Sequence, residues 1–193
     1  MRSFSRMSVP ALVGALVVGG VSFVTGCGSG NNNDATAQTT RNQTIPPFIA
    51  TSDVQYIDAI VPHHEHATEM AQMELDKGTR ADVKAIAQTI RDAQVQEIAL
   101  LKGARQVLTG QAEIPTPPTD AHMDKDMAEM TALAAGPQVD AYFLDNMIPH
   151  HAEGISIAHR AQPNLSRQDV KDNAAQVVIT QGREIGEMQA LRQ

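Results

Sequence analysis

The chain of 193 residues has no tryptophan, two tyrosines, four phenylalanines and a single cysteine. One cysteine excludes a disulfide framework and leaves no set of thiolates to grip a metal. With so few rings, the core must be aliphatic, with methionine, nine in all, as filler. Basic residues are also scarce. Fifteen Lys and Arg face twenty-two Asp and Glu, a formal charge of −7, which disfavours nucleic acid and attracts cations. Enzyme signatures are missing too. No Gly-x-Ser-x-Gly or His-Glu-x-x-His motif supports a hydrolase, and no Glu-x-x-His spacing supports a carboxylate-bridged di-metal oxidase. The expectation is a non-enzymatic protein.

What is present begins with a targeting segment. Arg2 and Arg6 precede an apolar run rich in small residues, Val9 to Val24. The run ends in Val24-Thr25-Gly26-Cys27, which resembles the lipobox of bacterial lipoproteins, where the cysteine is diacylated and becomes the mature N-terminus. A plain secretory signal is the alternative. Lipidation of Cys27 implies a protein held to the membrane on its extracytoplasmic face. Loss of residues 1–26 removes Arg2 and Arg6 and no acid, taking the charge from −7 to −9. Residues 27–51, with Asn31-Asn32-Asn33 and many Thr, Gln and Pro, lack apolar periodicity and read as a flexible tether. Residues 52–193 remain for one domain, enough for a core of its own.

That domain contains the same word twice. Asp58 to His64 reads D-A-I-V-P-H-H, and 87 residues later Asp145 to His151 reads D-N-M-I-P-H-H. On that offset Asp82-Val83-Lys84 falls on Asp169-Val170-Lys171, and Gln94, Glu97 and Ile98 fall on Gln181, Glu184 and Ile185. A match of about 50 residues is long enough for a pair of helices. Helical periodicity predicts segments near 52–76, 80–109, 119–135, 138–161 and 167–192. The repeat units are then 53–110 and 140–193, with 119–135 as a connecting helix. Thr79-Arg80-Ala81-Asp82 and Ser166-Arg167-Gln168-Asp169 fit a hydroxyl cap with an acid three residues on. Pro62 and Pro149 fall inside the first helix of each unit, which predicts a kink or a break just before the histidines. The fold class is all-α, a four-helix bundle of two repeated hairpins with an extra helix between them.

At about 100° per residue, His64 and His151 lie in the apolar stripe of their helices, and Gln94, Glu97, Gln181 and Glu184 lie in the stripe of the partner helices. Counting outward from the turn near Gly78 sets His64 level with Asp92, within a turn of Gln94. The two glutamates have three possible roles. They could accept from protonated His64 and His151, could sit as neutral acids in a Gln/Glu/His network, or could orient neutral imidazoles that bind a metal. His63, Met70 and Glu74 form a flank beside the stripe, with His66 and Met73 further round and His150 in the second unit. His122, Met123, Met127 and Met130 on the connecting helix could add a further site or simply pack. His159 reads as a surface or edge residue. Imidazole and thioether donors without thiolates suit Cu(I), and imidazole also admits Cu(II), Zn or Ni.

The words V-P-H-H-E-H-A-T-E-M-A and M-I-P-H-H-A-E-G-I-S-I-A, each followed by Q-x-x-E-I, resemble the domain of unknown function 305 family. Its motif is M-I-P-H-H-x-x-A-I-x-M-A and then Q-x-x-E-I. The resemblance covers roughly 53–192. It implies a ferritin-like four-helix bundle, often exported, with links in some members to copper binding or tolerance. By position it marks His63, His64, Met70, His150 and His151, with Gln94, Glu97, Gln181 and Glu184 behind them. Two departures stand out: Ile157 replaces the second methionine, and Gly154 stands where the motif has alanine. Taken together, the residues and the resemblance point to a membrane-anchored protein that sequesters or transfers copper, with no nucleic-acid partner. The alternative is a structural or interaction protein whose His/Gln/Glu groups only satisfy a core.

Overall fold

The computed structural model describes residues 49–115 and 121–193, except for the side chains of residues 121 and 122. The leader 1–26, Cys27 and nearly all of the tether lie outside the described residues. The described residues form five α-helices: α1 Asp53–Lys77, α2 Ala81–Thr109, α3 Ala121–Ala132, α4 Pro137–Ala161 and α5 Gln168–Leu191. A 3-10 turn at Gln162–Asn164 precedes α5, and the described residues contain no strand. Every expected helix is present, within three residues of its expected ends. Ser52 starts α1, its hydroxyl accepting from the Gln55 amide at 3.3 Å, and Gly110 ends α2 in the left-handed region at φ 79°. No break occurs at Pro62 or Pro149; α1 and α4 remain helical through both.

Hairpins α1–α2 and α4–α5 pack together as a ferritin-like four-helix bundle, chiefly through α1 against α4 and α2 against α5. Helices α1 and α4 are antiparallel. His63 meets His150 in mid-bundle, while the Lys77 carbonyl accepts from Gly136 just before α4 begins. Helix α3 lies across α1 and α4. The Tyr142 hydroxyl donates to the Asp126 carbonyl at 3.2 Å, and Lys77 Nζ donates to the Thr131 carbonyl at 2.8 Å. Two apolar clusters fill the bundle on either side of the histidine plane. One is built around Tyr56, Ile57, Ile60 and Leu101, the other around Met70, Ile90, Phe143 and Met147. The expected aliphatic core with methionine filler is what forms.

The helix starts of the second helices depart from the expected capping boxes. The N-caps are Arg80 and Arg167, and neither makes a side-chain cap bond. Asp82 and Asp169 pair with those same arginines, at 2.9 and 2.7 Å. The free amides are taken by an aspartate from the other repeat. Asp140 of α4 accepts from the Thr79 and Arg80 amides, both at 2.9 Å, and from the Thr79 hydroxyl at 2.7 Å. Asp53 of α1 accepts from the Ser166 and Arg167 amides at 2.9 and 3.3 Å. Asp53 and Asp140 occupy equivalent repeat positions, so each hairpin anchors the start of the other's second helix with an anion placed where the helix dipole favours it.

One end carries an additional acid. Glu74 is fully buried against Asp140, where the other repeat has Ala161. Burial, then the neighbouring Asp140, pushes the Glu74 carboxyl from 4.5 up to about 8. A carboxyl held protonated in the folded state, but ionised on unfolding, costs stability progressively as pH rises above its unfolded value, with the full cost reached near pH 8. Glu74→Gln, neutral at every pH, is expected to melt with the wild type near pH 4.5. At pH 8 it should be more stable by about 2 kcal/mol, roughly 5 °C in Tm, well short of the full shift because charged Lys84 and Arg80 lie close by. Thermal melts from pH 4 to 9 check this, and a gap that does not widen with pH would refute it.

Candidate metal centre

His64 and His151 sit at the centre of the bundle, each fully buried. His151 Nε2 donates to Glu184 Oε2 at 2.9 Å. His64 Nε2 lies the same distance from Glu97 Oε2, off the line of an ideal hydrogen bond. The carboxylate level with His64 is thus Glu97, more than a turn beyond Asp92. A neutral imidazole held this way has its proton on Nε2 and its lone pair on Nδ1, and the Nδ1 of both rings is buried without a hydrogen-bond partner. The two carboxylates are not equally enclosed. Glu184 is 2% exposed, whereas Glu97 is 18% exposed and lines an open groove of about 570 Å³ between α2 and α5, together with Leu100, Asp172, Asn173 and Gln176. At the edge of that groove the Tyr56 hydroxyl donates to Asn173 at 2.9 Å; burial and the charge of Glu97 hold its proton on.

A closed Gln/Glu/His network is not what forms. Gln94 and Gln181 are each 2% exposed, and neither end of either amide has a partner. Between the two His–Glu pairs lie the other histidines. The His63 and His150 rings stack at 3.8 Å with 27° between planes, and His66 lies 5.0 Å from His150. The flank assignment for His63 and His66 is therefore corrected. Both are buried, because α4 packs on the side of α1 that a single hairpin would leave open to solvent. Met70 is fully buried as well. His159 is exposed, as expected.

His63 Nε2 lies 3.1 Å from the His150 carbonyl. A carbonyl can only accept, so Nε2 carries the proton, and in the neutral ring the Nδ1 lone pair is left over. That Nδ1 is buried and unpartnered, as are both ring nitrogens of His150. Burial first, and then the surrounding imidazoles, hold both rings well below the usual histidine range, so both are neutral. Among the described residues, no three His, Cys, Asp or Glu side chains already converge as a ready chelate.

On the connecting helix, the two methionines whose surroundings are described serve packing. Met130 is fully buried and Met127 partly so, in the same apolar cluster as Met70, while Met73 accepts from the Thr131 hydroxyl at 3.5 Å. Met123 is half-buried, and the His122 side chain lies outside the described residues. The exchanged aspartate caps were invisible in the sequence, and Gly154 showed there only as a departure from a motif.

The donor set fits a soft or borderline cation. Leaving a buried polar atom unpaired costs about 1–3 kcal/mol, and here four neighbouring imidazoles, His64, His63, His150 and His151, each keep at least one buried nitrogen without a hydrogen-bond partner. A duplicated helical hairpin with paired histidines at its centre defines the class: an all-α, histidine-centred four-helix bundle. The family described as Domain of unknown function (DUF305) matches residues 30–105 and 53–192, and the chain belongs to it. None of the curated proteins matches it. Solved structures do. A DUF305 fragment from Deinococcus radiodurans superposes with a TM-score of 0.64 at 24% identity, covering 76% of this chain and 98% of that one. CopM in its Cu(II)-bound form gives 0.65 at 26% identity, covering 73% and 95%. Its Cu(I)-bound form gives 0.63 at 26% identity, covering 72% and 94%.

Proposed function

We propose that this protein is an exported, lipid-anchored and non-enzymatic metal-binding protein that holds copper outside the cytoplasm for sequestration or transfer. The carrying observation is the meeting of His63 and His150, one from each repeat, as neutral stacked imidazoles with buried, unpartnered nitrogens. His64, His66 and His151 lie beside them, Met70, buried one helical turn on from His66, would supply a thioether, and Glu97 and Glu184 orient the central pair. Solved structures of the related CopM hold Cu(I) and Cu(II), which supports copper as the cargo. Attachment rests on Cys27 and its lipobox. No helix among the described residues is long and apolar enough to cross a membrane.

Titration with Cu(I) against a competing chelator tests the reading. At least one copper per chain is expected, and free copper at 100 times Kd should add about 2.7 kcal/mol of stability, visible as a rise in Tm. Less than one copper per chain, or an affinity unmoved by His63→Ala combined with Met70→Ala, would overturn it. A purely structural role for the histidines predicts no change in Tm or spectra with metal.

A further inference from the structure

We propose that Gly154 is a positioning residue that makes the two halves of this site inequivalent, by giving the His63 ring room to cross onto α4 and fix its proton on Nε2. The inference rests on the metal-binding reading and deepens it. Position 154 is one place where the repeats differ beside the histidines. Its counterpart, Ala67, is a buried alanine, while a Cβ built on Gly154 would fall 2.9 Å from His63 Cε1 and would collide with Gln181 Oε1. Real Cβ contacts are essentially never that short. A side chain at 154 must therefore displace both the imidazole and the amide.

The hydrogen bonds follow the same asymmetry. His63 donates across the repeat boundary to the His150 carbonyl, the group that also accepts from the residue 154 amide in a regular helix turn. The reciprocal bond, from His150 to the His63 carbonyl, is not made, and both His150 nitrogens stay uncommitted. His63 thus presents a single lone pair, on Nδ1, in an orientation held by backbone. His150, stacked against it at 3.8 Å, keeps a free choice of tautomer. One ring is a pre-set donor and the other an adaptable one, which suits a site that must accept an ion and later release it.

The test is imidazole 15N NMR on the metal-free protein, paired with copper competition. Wild type should show His63 as a pure Nε2–H tautomer and His150 as a mixture. Gly154→Ala should lose the His63 signature and weaken Cu(I) binding at least tenfold. Gly154→Ala with Gln181→Ser relieves the amide collision alone, so the His63 change must persist there; this pair also guards against a single variant that fails to fold. Gly154→Ala with Ala67→Gly should move the fixed tautomer from His63 to His150. An unaltered His63 signature in both Gly154→Ala backgrounds would overturn the proposal, whatever the affinity does. Wild-type protein that binds no copper would instead remove the functional reading, and the tautomer result would still stand or fall by itself.

Discussion

Replacing His63 and His150 together with alanine is expected to lower Cu(I) affinity by more than 100-fold, about 2.8 kcal/mol or more of binding free energy. Each ring comes from a different repeat and the two are in contact, so the single variants should not sum to the double. Loss of His63 removes the pre-set Nδ1 donor, and His150 can partly compensate because neither of its nitrogens is engaged. Glu97→Gln and Glu184→Gln should cost less, roughly 10- to 100-fold, since they loosen an imidazole without removing a donor. Of the two, Glu184→Gln should be the more damaging, because Glu184 is 2% exposed and nothing can replace its bond to His151, whereas water can reach Glu97 at 18%. Chelator competition on the five variants ranks them. An affinity for the double variant within tenfold of wild type would place the copper elsewhere.

The periodicity of the chain makes the bundle legible, because each helix contributes one apolar stripe and the word D-x-x-x-P-H-H occurs twice at a fixed offset. What the sequence hides is contact between repeats. In the α1–α2 hairpin alone His63 and His66 lie on a flank, and only the packing of α4 on that flank buries them. The partner of His64 was visible as Glu97 in the α2 stripe, but counting residues from the turn misses it by more than one helical turn, since ideal counting assumes equal rise from a symmetric hairpin. Local signals also compete. Thr79 and Ser166 stand where a hydroxyl cap belongs, yet an aspartate from across the bundle takes the amides, and Arg80 and Arg167 take the acids. No pattern within ten residues encodes an exchange between partners 61 or 113 apart.

That exchange gives the second large expectation, on stability. Asp53→Ala should cost about 2 kcal/mol, the upper range for loss of an N-terminal cap, because it strands the Ser166 and Arg167 amides at a partly buried helix start. Asp140→Ala strands three donors, the amides of Thr79 and Arg80 and the Thr79 hydroxyl. Burial works against its charge, but these bonds prevail and hold Asp140 below the usual carboxylate range, so its contribution is present at neutral pH and is lost only as pH falls through that lowered value. The two variants should then separate with pH. Removing Asp140 also removes a carboxylate that raises Glu74, which offsets part of the cost near pH 8, where wild-type Glu74 bears its full penalty, and none of it near pH 5. Asp140→Ala should therefore be milder at pH 8 than at pH 5, with no such offset for Asp53→Ala, which has Ala161 rather than a glutamate beside it. The sites lie near opposite ends of the bundle, about 30 Å apart, so the double variant should be additive to within about 0.5 kcal/mol and drop Tm by roughly 8–16 °C. Chemical and thermal unfolding at both pH values decide it: a double variant no worse than either single one would mean that the repeats are not pinned to one another through these two aspartates.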